Sequence, residues 1–205
     1  MAAGRPYALT RVRAVLAGAL VLGVGTTMTL ASWTDSEFGQ GSFTTTKFDT
    51  QSSVDGGTNY ADNTPSAATL AFDPSGMSPN TQRYALFLIR TKAGSVAGTL
   101  SLGAATISPA GADDGTNLAA ALRYRVVSTT GTCNAAAFTG SPVWVLQTSS
   151  PLATAGASTV AVAAATASPG AASGLCFEIS LPAGAPNTLQ GKTGSATWQV
   201  TATSN

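Results

Sequence analysis

Leu175-Cys176-Phe177-Glu178-Ile179-Ser180-Leu181 sets its large apolar residues at odd positions and Cys176, Glu178 and Ser180 at even ones. A period of two marks an extended strand with one face on a core, because successive side chains of a strand point to opposite faces. Cys176 therefore falls on the Glu178 side. The same alternation runs from Leu122 to Val127, with Leu122, Tyr124 and Val126 on one face and Arg123 and Arg125 on the other. It recurs in Ala196–Ala202, where Trp198 and Val200 oppose Thr197, Gln199 and Thr201. Tyr84 to Ile89 (YALFLI) is nearly continuous in apolar residues and predicts a strand covered on both faces.

Further strands are predicted at Val143–Leu146 and Thr159–Ala163, and a short one at Ala68–Phe72, ended by the turn Asp73-Pro74-Ser75-Gly76. Val96–Leu102 follows Lys92-Ala93-Gly94-Ser95 and reads as the hairpin partner of Tyr84–Ile89. Asp113-Asp114-Gly115 marks a turn, and Asn117–Leu122 reads as one or two helical turns. Gln51–Ser66 is polar and loop-like. Thr148–Ala172 is a low-complexity run that fits either a strand pair with small side chains or an exposed loop. No internal repeat is present, and past Ser32 no long stretch carries a helical stripe. The pattern predicts an all-β fold, an antiparallel β-sandwich of jelly-roll type.

The N-terminus differs. Arg5, Arg11 and Arg13 precede an uncharged run from Ala14 to Leu30, and the run closes on Thr29-Leu30-Ala31. A basic start, an apolar stretch and small residues at its end fit a helical secretory signal segment over residues 1–31, with cleavage between Ala31 and Ser32. The alternatives are an uncleaved anchor, for which the run falls short of the roughly 20 residues a bilayer needs, and a buried core helix. Residues 32–205 then form one domain, and loss of the three arginines turns the formal charge from +1 to −2. No cluster of Lys and Arg remains to neutralise phosphates, so nucleic acid is not an expected partner. Membrane contact is expected only through the signal segment before cleavage.

Cys133 and Cys176 are the only cysteines, and both lie in the exported part. In an oxidising compartment an even pair reads as one disulfide. In the chain-entropy model it stabilises by roughly 4 kcal/mol. Two separate buried thiols are the alternative.

The junction of signal and exported part carries Leu30-Ala31-Ser32-Trp33-Thr34-Asp35, then Gly41-Ser42-Phe43 and Lys47-Phe48-Asp49. This resembles the TasA/camelysin family, whose leader ends in a small residue followed by an aromatic, a Thr-Asp or Ser-Asp pair and a strand of the type Gly-x-Phe-x-x-x-x-Phe-Asp. Met77-Ser78-Pro79 and the closing Leu181-Pro182, Asn187–Gly191 and Ala196-Thr197-Trp198 are similar to actinobacterial members. One departure is Lys92-Ala93-Gly94, where members often carry an Asn-x-Gly-type turn.

The resemblance implies export through a SipW-type signal peptidase and a secreted matrix protein whose subunits join into fibres. In that scheme the N-terminal segment of one subunit adds as a strand to the next. Here the segment is residues 32–48, with Trp33, Phe38, Phe43 and Phe48 as anchoring rings. Equally, the segment is the first strand of its own sandwich, with those rings in its own core.

Catalysis is not expected. The chain has no histidine, which removes an HExxH zinc site and a Ser/His/Asp triad together. The carboxylates Asp35, Glu37, Asp49, Asp55, Asp62, Asp73, Asp113, Asp114 and Glu178 are scattered over turns and strand faces. Asp113-Asp114-Gly115 with Asn117 fits part of a calcium loop or simply a turn. Leu181-Pro182-Ala183-Gly184 lacks the apolar tail and basic end of a sortase signal after it. The expectation is a secreted structural protein without metal or cofactor; a secreted camelysin-like peptidase and a monomeric surface-binding module are the alternatives.

Overall fold

The alternating segments become strands because one face buries apolar side chains while the ladder satisfies backbone N–H and C=O groups. The computed structural model describes residues 7–25, 37, 40–42, 45–70, 72 and 76–205. The chain falls into two compact units, Met1–Phe43 and Thr44–Asn205.

In the first unit, Tyr7–Gly25 is a single α-helix, α1. Its Val12, Val15 and Leu16 are exposed. Among the described residues no helix is long and apolar enough to cross a membrane. The cleavage residues Ala31 and Ser32 lie outside the described residues.

The second unit is an antiparallel β fold of two facing sheets and a ribbon. Its strands are β1 (Thr50–Ser53), β2 (Gln82–Thr91), β3 (Gly98–Leu102), β4 (Thr106–Ser108), β5 (Arg123–Ser128), β6 (Val143–Pro151), β7 (Val160–Val162), β8 (Ser173–Ser180), β9 (Ser195–Thr197) and β10 (Val200–Ser204). A five-stranded sheet has the order β1-β2-β8-β5-β6, a three-stranded sheet has β10-β3-β7, and β4 pairs with β9. Between the sheets lies the main core, which includes Ile89, Leu100, Tyr124, Val126, Leu175 and Phe177. Tyr124 stacks on Phe177 at 6.5 Å between ring centroids, and Trp198 packs against both at 5.6 and 5.1 Å.

Of the predicted inward residues, Leu122, Tyr124, Val126, Leu175, Phe177 and Ile179 reach this core, Leu181 joins a separate cluster with Ala121 and Leu189, and Cys176 and Glu178 point the other way. There Val127, Phe138 and Cys176 form a second cluster with Tyr84, Leu86 and Trp144 packed on it. The YALFLI strand is thus covered on both faces, as its sequence predicts. A short helix, α2 (Leu118–Ala121), is capped by Asn117, whose side-chain oxygen accepts from the Ala120 N–H.

Four expectations are corrected. Val96–Leu102 is not the hairpin partner of β2, because β1 pairs with the end of β2 nearest the turn and β8 runs along its other edge; the turn at Lys92–Ser95 carries the chain to the other sheet. Ala68–Phe72 is not a strand, since its described residues find no ladder partner. Ala196–Ala202 is broken into β9 and β10. Thr106 pairs with Thr197 and Leu102 with Val200, so three residues face two, a bulge that bends the ribbon. Gln51–Ser66 is a loop only after Ser53, its first three residues belonging to the four-residue β1. The low-complexity run is mixed: it supplies the end of β6, the whole of β7 and the turns around them.

Candidate functional site

Strand order leaves β10 at the edge of its sheet, paired only with β3 among the described residues. Beside it opens a groove of about 1310 Å³ between the two sheets. Phe87, Ile89, Phe177 and Ile179 of the five-stranded sheet supply apolar lining. Trp198, Val200 and Ala202 line it from the β10 side, and Thr50–Ser52 of β1, Thr64, Pro65 and residues 67–70 also border it. An unpaired strand edge beside an apolar trough presents backbone hydrogen-bonding groups and side-chain pockets together.

The segment bordering the groove has a particular form. Ala68, Leu70 and Phe72 are partly buried while Thr69 is exposed, the side-chain period of a strand without a ladder. Leu70 and Phe72 pack against the main core. Among the described residues, the backbone bond in this segment is the local one from the Phe72 N–H to the Leu70 carbonyl, 3.2 Å.

Phe48 is the one anchoring ring placed by the structure. It packs against the main core of its own domain. A Cβ on Gly98 would stand 2.8 Å from its ring, so ring and backbone touch. The Val96 N–H donates to the Lys47 carbonyl and the Lys92 N–H to the Asp49 carbonyl, both at 2.9 Å. Of the two alternatives for Phe48, its own core is where it lies. Trp33, Phe38 and Phe43 fall outside the described residues.

The rim is charged but internally satisfied. Lys92 Nζ reaches Asp49 at 3.1 Å and Asp62 at 2.7 Å. The Lys92 ammonium holds the Asp49 carboxyl below its ordinary value, and the two carboxylates raise Lys92 in turn. Asp55 closes the loop after β1. Its carboxylate accepts from the Asn59 backbone N–H, the Ser53 hydroxyl and the Asn59 amide, which bring its pKa to about 2.

Elsewhere Asp113, Asp114 and Glu178 are likewise engaged. The Asp114 carboxylate accepts from the Thr116 N–H and hydroxyl and the Asn117 N–H, and Asp113 bonds Arg123. The Asp113–Gly115 stretch is therefore a turn leading into the cap of α2. On the outer face of the large sheet, Arg125 grips Glu178 with Nε and Nη2 at 2.8 and 2.9 Å. Phe138 and Trp144 lie against that guanidinium. Among the described residues no three His, Cys, Asp or Glu gather as a metal site would require. Cys133 and Cys176 form a disulfide, with Cα atoms 5.3 Å apart.

Sequence reasoning missed the groove. Its lining comes from residues already assigned to strands, and what makes it a groove is which edges stay unpaired. The one signal available was the apolar alternation of Ala68–Phe72, which the sequence assigned to a paired strand. No family model matches this chain, and no curated protein and no solved structure is significantly similar to it.

Proposed function

We propose that this chain is an exported structural protein of an extracellular matrix, of the TasA-like kind, whose subunits join head to tail by strand addition. The observation that carries this is the apolar groove beside the outer edge of β10, which has no strand partner among the described residues. A segment entering there gains main-chain bonds along β10 and buries its rings in the trough. Such a contact does not close on itself, so it propagates into a filament. The exposed apolar face of α1 supports its role as a leader, and the Cys133–Cys176 bridge supports an oxidising destination. The exchange of strands between two antiparallel sheets supports assigning the domain to the jelly-roll group.

Because Phe48 is committed to its own core, the donor is the stretch before it, residues 32–43. In an extended strand Trp33 and Phe43 share a face and Phe38 takes the other, since the period is two. About 12 extended residues span roughly 40 Å, more than twice the length of a five-residue edge strand. No catalytic role is proposed, the chain having no histidine.

The test compares residues 32–205 with residues 44–205 by size-exclusion chromatography and negative-stain microscopy. Filaments from the longer chain alone are the expected result. Compact monomers from both under all conditions would overturn strand addition and turn attention to an apolar ligand in the groove.

A further inference from the structure

We infer that residues 64–70 with Phe72 are a plug at the border of the groove, its Leu70 and Phe72 side chains packed on the core that a donor would reach, and that it is displaced when a donor strand of a second copy enters. This rests on the strand-addition function proposed above and adds its regulation.

The segment imitates a donor in side chains and not in backbone. Ala68, Leu70 and Phe72 turn inward at every second residue, with Thr69 exposed between the first two. Leu70 and Phe72 pack on the same core that a donor ring would reach. Yet among the described residues its main chain makes no bond to β10, whose outer edge remains unpaired. The residues on either side behave differently. Ala61 exchanges both backbone bonds with Ser52 at 2.9 Å, and from Gln82 to Ile89 β2 is laddered to β8. The described residues 64–70 and Phe72 are thus held by side-chain packing and not by a ladder.

Two features make it displaceable. Pro65 has no N–H to give a ladder, and Thr64, Pro65, Ser66 and Ala67 are all exposed. The plug's hold is therefore the partial burial of a few side chains, and leaving returns no laddered backbone to water. An incoming strand gains what the plug lacks, the unpaired N–H and C=O groups of β10. Apparent donor affinity equals the intrinsic affinity multiplied by the fraction of chains whose groove is open, so the plug sets a threshold for assembly. A chain that plugs its own groove stays monomeric while dilute.

The experiment uses the full chain and a fluorescent peptide of residues 32–43, with binding followed by anisotropy. Leu70→Ser/Phe72→Ser is expected to tighten peptide binding by about tenfold or more, and Thr148→Ser, exposed on β6 away from the groove, to leave it unchanged. On the wild-type chain, peptide binding should move the Leu70 methyl and Phe72 ring NMR signals to random-coil positions. Amide exchange in Val200–Ser204 should slow at the same time. This second measurement needs no variant and holds even if the double variant does not fold.

Equal peptide affinity for a folded double variant and the wild type, or a bound state in which the Leu70 and Phe72 signals stay put, would overturn the plug alone and leave strand addition standing. Failure of the peptide to bind either folded chain would overturn strand addition and the plug with it.

Discussion

Gly98 is where the N-terminal stretch, β3 and β10 meet. A methyl group there would run into the Thr203 carbonyl and stand 2.8 Å from the Phe48 ring. Neither gives way easily, one being backbone in a ladder and the other a ring held in the core. Gly98→Ala is expected to destabilise the domain by about 1–3 kcal/mol, the usual cost of overpacking, read as a lower urea midpoint. Asp55 makes a separate prediction. Its carboxyl titrates at about 2 in the folded chain against an ordinary 3.8, because the Asn59 and Ser53 donors favour the charged form. A depressed folded value means that the loop's support is complete above the ordinary value and is lost as pH falls through the folded one. Between about pH 4 and pH 2 the Asn59 amide signal should therefore move toward its random-coil position; an unmoved signal would show that those donors do not hold the loop.

The disulfide acts on an element, the stretch between β5 and β6. Cys176 sits fully buried in β8, and Cys133 pins the stretch that carries Phe138 over the outer face of the large sheet. Phe138 then packs on Tyr84 at 5.8 Å and on Trp144 at 6.0 Å. The inner core does not depend on this clip, since Tyr124, Phe177 and Trp198 lie on the other side of the sheet. Cys133→Ser/Cys176→Ser is expected to cost about 2–4 kcal/mol in urea unfolding. The far-ultraviolet spectrum of the β fold should persist while the near-ultraviolet signal from Trp144 weakens. Loss of the β spectrum as well would place the bridge among the elements the inner core requires.

For the whole molecule, the division after Phe43 separates the unit that carries α1 from a domain that holds its own core. Phe48 lies on the domain side of that division and Trp33, Phe38 and Phe43 on the other. A chain of residues 44–205 should keep the thermal midpoint of residues 32–205, within about 2 °C, because the buried core clusters fall after the cut; a shift of 1 kcal/mol would appear as about 2–4 °C. A much larger drop would mean that residues 32–43 complete the domain itself, and the donor would then be a native first strand.

Much of the fold was legible in short windows. The alternation in Leu175–Leu181 and Leu122–Val127 fixed which side chains face the core, because a strand's side-chain direction depends only on position parity. The even count of cysteines anticipated the bridge, and Asn117 ahead of an alanine run anticipated the capped turn of α2. Pairing was not legible in this way. Nothing between Lys92 and Ser95 says that β1 pairs with the end of β2, or that Val96 must leave for the other sheet. The strand-like alternation of Ala68–Phe72 is present in the sequence, yet whether it joins a ladder depends on edges supplied by residues more than a hundred positions away in the chain. Local chemistry determines what each segment can become; only tertiary structure decides which strand edges are taken, and so where a groove stays open, because hydrogen-bond partners in a sheet are a property of distant segments.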